Sequence, residues 1–201
     1  MVPGPLARAV AVMDTFDRPW FLCGGWSVDA WLGRVTREHV DIDVAVFHDE
    51  QIALYEFMAD RTPIGHDDNV DDSTQEPWAG RWLDMPAHIH AREPGIDWDF
   101  QLSEREGADL LLRRSPRHTL PLERATGMTE WGIPAYTPPV IVYYKAIVPT
   151  WRDLPRDPPR AHDERDFESL LPLLDRFDRA WLVAAIESLE PGHAWMSALK
   201  G

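Results

Sequence analysis

Residues 24–43 read GGWSVDAWLGRVTREHVDID, and this stretch decides the fold and points to the chemistry. It follows an apolar run, Pro19-Trp20-Phe21-Leu22-Cys23, of which Trp20–Cys23 reads as a short strand. Asp41 and Asp43 close the stretch with one apolar residue between them. On a strand, residues two apart project from the same face, so both carboxylates can converge on one point. Val40, Ile42, Val44 and Val46 supply the β-branched, apolar phase of such a strand, which is expected over Ile42–Phe47. Two adjacent anions repel, which calls for a cation between them, and oxygen-only ligands suit Mg²⁺.

The glycine pair adds a second function. Gly24 and Gly25 lack a Cβ, so the chain can turn sharply there and approach a ligand closely. Trp26–Leu32 reads as a helix with Gly33 as its C-cap. The amides at its start form a site for phosphate oxygens.

Gly24-Gly25, a helix and then Asp41-Ile42-Asp43 resemble the signature of the DNA polymerase beta-type nucleotidyltransferases. With Trp26, Asp29, Gly33, Arg37 and His39, the string is similar to their small antibiotic-nucleotidyltransferase branch, which includes aminoglycoside and lincosamide adenylyltransferases. The likeness continues through Arg113-Arg114, Gly132–Tyr136, Tyr144-Lys145-Ala146, His162–Phe167 and Pro191–Trp195. The resemblance implies an α+β fold, a small mixed sheet flanked by helices. A nucleotidyltransferase-like core would span residues 1–148, a loop or linker 149–162, and a helical segment packed on the core 163–201. It also implies one or two Mg²⁺ ions, a nucleoside triphosphate as co-substrate and a small hydroxylated acceptor, with aminoglycoside-like compounds as one option. One ion would bind the triphosphate and the other would activate the acceptor hydroxyl for in-line attack on the α-phosphorus.

The family places a third carboxylate on a neighbouring strand. Ile96–Leu102 alternates, with Trp98, Phe100 and Leu102 on one face and Asp97, Asp99 and Gln101 on the other. Asp99 is the choice, so Asp41, Asp43 and Asp99 form the expected catalytic and metal set. A slip of two residues would substitute Asp97 or Gln101. Gly24, Gly25 and the amide of Trp26 would cradle phosphates; Arg37 would neutralise them, and His39 would either do the same, orient an Asp carboxylate or pack structurally. Lys145, on an otherwise apolar helix over Val140–Ile147, needs an anion partner, and the resemblance directs it to the nucleotide cleft. His162 stands where relatives carry Lys before Asp163 and Asp166, and Pro139 where they carry Glu.

The remaining chain sets bounds. The net charge of −14 argues against a duplex-binding surface and is compatible with a cationic small substrate. With one cysteine and no signal-like N-terminus, a cytoplasmic location is expected. No apolar run approaches the roughly 18 residues of a membrane span. Further expected elements are helices over Leu6–Phe16 and Gln51–Ala59, strands at His88–Ala91, 108–114 and 133–137, and helices after Asp163 broken at Pro172 and Pro191-Gly192. Residues 63–77 carry loop chemistry. His88-Ile89-His90 sets two imidazoles on one strand face, half of a zinc site, but no cysteine partners them and zinc is not assigned. Ser27 and His193 lack a nucleophile elbow, which disfavours hydrolase chemistry. Two rival readings stay open: a toxin–antitoxin-type nucleotidyltransferase acting on protein or RNA, and a degenerate nucleotide-binding or interaction protein. Acceptor, base preference and oligomeric state are not legible.

Overall fold

A computed structural model describes residues 1–67, 77–113, 118–147 and 160–201. Its centre is β2 (Ile42–Phe47), which lies antiparallel to β1 (Trp20–Leu22) and parallel to β5 (Ile96–Glu106). Beyond β5 come β4 (Ala87–Glu93) and β3 (Ile64–Asp67), each antiparallel to its neighbour. Beyond β1 come β9 (Pro134–Tyr136), parallel to it, and β8 (Thr126–Met128). A short ribbon, β6 (Asp109–Leu111) and β7 (Thr119–Pro121), continues from the far end of β5 and leads into the one-turn helix α4 (Leu122–Ala125). The sheet is therefore mixed, as expected for the α+β class.

The central strand is apolar on both sides because both faces are covered. Ile42, Val44 and Val46 enter a core with Trp98, Phe100 and Ile89, closed by α1 (Gly4–Met13) and α3 (Gln51–Met58). Ala45 and Phe47 enter the opposite core with residues of α5 (Pro138–Ala146), α6 (Ala161–Leu170), α7 (Arg176–Leu189) and α8 (Met196–Lys200). Asp43 alternates with Ile42 and Val44, so it opens the second face, beneath α2 (Gly24–Leu32).

Several local expectations shift. The second helix begins at Gly24, two residues early, and ends as expected at Gly33 in the left-handed conformation, φ 67°. Val40 lies outside the strand and is 88% exposed, so it is not part of the apolar phase. Residues 64–67, read as loop, form edge strand β3. The acids at 68, 71 and 72 lie outside the described residues, as do residues 149–159 of the expected linker. Ala161 and His162 already belong to α6. α5 starts at Pro138, not Val140, since prolines fit the first helical turn, where no backbone donor is needed. No helix among the described residues is long and apolar enough to cross a membrane.

Candidate active site

The turn from β1 into α2 is built around one carboxylate. Gly24 has φ +58°, and a Cβ there would overlap the carboxyl group of Asp43. The Gly25 amide donates a hydrogen bond to that carboxylate. A Cβ on Gly25 would strike the Arg37 guanidinium and the His39 ring. The closest groups that the glycine pair admits are thus side chains of the site itself.

Strand register brings the acids together. Asp43 on β2 lies directly opposite Asp99 on β5, while Gln101 lies opposite Ala45. Asp97 is half-exposed and pairs with Arg92 at 3.1 Å. Gln101 Oε1 accepts from Arg113 at 3.4 Å. Asp99 is therefore the residue of the three that stands beside Asp43. Asp41 sits in the bend just before β2 and is exposed.

The electrostatics follow from that crowding. Burial, then the charges of Asp99 and Asp41, push the Asp43 carboxyl from 3.8 up to about 7, against the opposing pull of Lys145 and the Gly25 amide. Asp99 Oδ1 is buried with no hydrogen-bond partner, and His90 Nε2 stands 3.6 Å from it. A buried carboxylate oxygen with only the long His90 contact, beside a second carboxylate whose pKa is raised, fits a divalent cation with oxygen ligands. The Cys23 thiol, buried below the same acids, is raised by burial first and by Asp43 next, and stays a neutral thiol.

Arg37 and Lys145 meet at one acid. Arg37 reaches Asp166 at 3.3 Å, and Lys145 Nζ lies 2.7 Å from Asp166 and 2.9 Å from Asp163. Arg160 and His162 join Asp163 at 3.1 and 3.5 Å. Burial works to raise the Asp163 carboxyl, but Lys145 and Arg160 outweigh it and hold it below its ordinary value. His39 Nε2 lies 2.6 Å from Asp29, and its ring lies 4.3 Å from that of Trp26, which is itself core.

Three of these groups belong to the stretches that carry the resemblance, yet the sequence assigns them no role in the site. Asp29 is fully buried, engages His39 and takes hydrogen bonds from the Thr36 amide and hydroxyl, fixing the loop that carries Arg37. A lone acid in the apolar helix Trp26–Leu32 was the available signal. Asp166 ties α6 to Arg37 and Lys145. Arg113 donates to the Ala87 carbonyl and to Gln101, bracing β4 against the end of the ribbon.

Comparison with known proteins locates this arrangement. Residues 5–75 match the family model of the aminoglycoside-2''-adenylyltransferases. A 37-residue stretch is 49% identical to 2''-aminoglycoside nucleotidyltransferases of Escherichia coli and Klebsiella pneumoniae, covering 18% of this chain and 21% of those proteins. The match to the curated relatives thus spans about a fifth of their length. The solution structure of the antibiotic-resistance factor ANT(2'')-Ia superimposes with a TM-score of 0.58 and 18% identity, over 92% of this chain and 90% of that one. The chain has the nucleotidyltransferase fold. Lincosamide adenylyltransferase LnuA in its lincomycin-bound form is similar at a TM-score of 0.57 and 15% identity, over 87% of this chain and 99% of that one. ANT(2'')-Ia in complex with adenylyl-2''-tobramycin gives a TM-score of 0.57 at 18% identity, over 91% and 95%. The resemblance to the antibiotic nucleotidyltransferase branch holds in sequence for the N-terminal third and in fold for most of the chain.

Proposed function

We propose that this protein is a metal-dependent nucleotidyltransferase that moves a nucleoside monophosphate from a nucleoside triphosphate to a hydroxyl of a small, cationic acceptor. The observation that carries this reading is the Asp43–Asp99 pair at the foot of the glycine turn, with Asp43 raised to about 7. Asp41, Asp43 and Asp99 would hold Mg²⁺. When bound, the ion supplies charge neutralisation for the triphosphate and lowers the pKa of a coordinated hydroxyl. Asp99, next to Asp43 and carrying an unsatisfied oxygen, is the base that accepts the acceptor's proton. Gly24 and Gly25 let the backbone come close to the phosphates. Arg37, a quarter exposed, is oriented by Asp166 toward the same turn and neutralises the leaving pyrophosphate. His39 and Asp29 hold Trp26 and the loop in place, and Lys145 offsets part of the negative charge on Asp43.

The overall charge of −14 suits a polycationic acceptor, and the relatives' complexes with adenylyl-tobramycin and lincomycin make aminoglycosides and lincosamides the first compounds to try. A cytoplasmic location suits a reaction fed by nucleoside triphosphates. The test is calorimetric binding of ATP, GTP, CTP and UTP with and without Mg²⁺, followed by pyrophosphate release with each antibiotic class. Metal-dependent binding that is lost in Asp41→Asn/Asp43→Asn, with release on acceptor addition, is the expected result.

A second reading, a nucleotide-binding protein without transfer, draws on one observation. Arg37 and Lys145 are both already paired with Asp166. Nucleotide binding without pyrophosphate release across the acceptor panel would favour it.

A further inference from the structure

β3 and β4 carry three imidazoles that the proposed reaction does not use. His66 lies directly opposite His88 in the β3–β4 pairing, and His90 follows two residues on, so all three rings share one sheet face. A ligand nitrogen from each lies within 4.8 Å of those of the other two. The rings stack His66 on His88 at 4.7 Å and 9°, with His90 4.6 and 4.8 Å from the two. His88 is buried, His66 half-buried and His90 exposed, so the cluster is anchored at its base and open to solvent at its rim.

We propose that His66, His88 and His90 bind one divalent transition-metal ion of the zinc class, with a solvent-facing position left for water or an exogenous ligand. Three neutral imidazoles are a donor set for Zn²⁺, Co²⁺, Ni²⁺ or Cu²⁺ and a poor one for Mg²⁺, which separates this site from the carboxylates. Tetrahedral coordination at about 2.0–2.1 Å sets ligand nitrogens about 3.4 Å apart. Starting within 4.8 Å of one another, the rings reach that spacing by side-chain rotation, because all three are borne on two hydrogen-bonded strands whose register already aligns them. His90 also lies opposite Asp99 in the β4–β5 pairing, so the imidazole site and the carboxylate site are neighbours on one face.

The test uses the full, untagged chain, stripped with chelator. Co²⁺ is titrated while its visible d–d bands are recorded, and Zn²⁺ is then added to displace it. One equivalent of Co²⁺ giving bands that Zn²⁺ bleaches is expected. Asp41→Asn/Asp43→Asn retains them, and His90→Gln and His66→Gln each weaken binding by about tenfold or more. His90 is exposed, so His90→Gln is read on a folded protein, verified by its circular dichroism melt. Absence of bands at stoichiometric Co²⁺ overturns the proposal. So does binding that survives in both histidine variants or disappears with the two aspartates, which would assign the ion to the carboxylates.

Discussion

Asp43→Asn should make the metal-free protein more stable while removing the proposed activity. The Asp43 carboxyl rises from 3.8 to about 7 because burial, Asp99 and Asp41 all oppose its charge. At about 1.4 kcal/mol per pKa unit, ionising Asp43 in the folded state costs roughly 4 kcal/mol relative to the unfolded chain. Asn removes that charge and keeps an acceptor for the Gly25 amide, so a gain of about 2–4 kcal/mol is expected above pH 7. The pH window follows from the sign. A carboxyl whose folded pKa is raised imposes no cost below pH 3.8, an increasing one as pH climbs to about 7, and a constant one beyond. The assay is thermal unfolding in EDTA at pH 5 and pH 8. For a chain of this size, each kcal/mol moves the midpoint by about 2–4 °C, so Asp43→Asn should melt about 5–15 °C above wild type at pH 8. The gap should shrink by about half at pH 5. Mg²⁺ should raise the wild-type midpoint at pH 8 and leave the variant unmoved. A natively folded Asp43→Asn that melts at or below wild type at pH 8 in EDTA would refute the account of three crowded carboxylates.

Four further outcomes follow from the same geometry. Gly24→Ala places a Cβ on the Asp43 carboxyl at φ +58° and should lose about 2 kcal/mol or more together with Mg²⁺-dependent nucleotide binding. Gly33→Ala, whose Cβ meets Glu130 at 3.4 Å, should lose about 1 kcal/mol in urea unfolding with binding intact. Lys145→Met leaves Asp163 and Asp166 buried without their shared cation and should lose about 3 kcal/mol at pH 7. Because Asp163 is held below its ordinary value, the wild type loses that contribution only as pH falls through and below about 4, so urea midpoints of Lys145→Met should be flatter than wild type across pH 3–5. Asp29→Ala strips the partners of Thr36 and His39 and should cost about 2–3 kcal/mol, with faster proteolysis in the 33–41 loop.

Periodicity made β2 and β5 legible, and with them the face that carries Asp99. It did not contain the register. That Asp43 meets Asp99 rather than Asp97 or Gln101 is set by where two strands, far apart in sequence, align to satisfy their hydrogen bonds. His66 was hidden for a related reason. Gly65, Asp67 and the acids beyond are turn formers, yet residues 64–67 gain their strand conformation from pairing with β4, not from local preference. β7 and β8 are three residues each, too short for alternation to register. The sequence directs Arg37 to the phosphates and Lys145 to the nucleotide cleft as two separate contacts. Their convergence on Asp166 depends on how α6 docks, which no spacing in residues 24–43 can convey.

That convergence also bears on the departure at His162. Burial holds the His162 imidazole below its usual range, so near neutral pH it adds no charge at a position where the family resemblance leads one to expect Lys. The cluster is then Arg37, Lys145 and Arg160 against Asp163 and Asp166, a net charge of one positive, where Lys at 162 would make it two. Lys145 is nearly enclosed at 10% exposure, and its charge is already divided between two acids. Among the described residues, a triphosphate approaching the glycine turn would meet the part-exposed guanidinium of Arg37 and a face lined by Asp41, Asp43 and Asp99. Side-chain cations alone cannot offset that repulsion. Nucleotide affinity in this protein should therefore depend chiefly on the divalent ion, and His162→Lys should recover part of the metal-free affinity that the native histidine gives up.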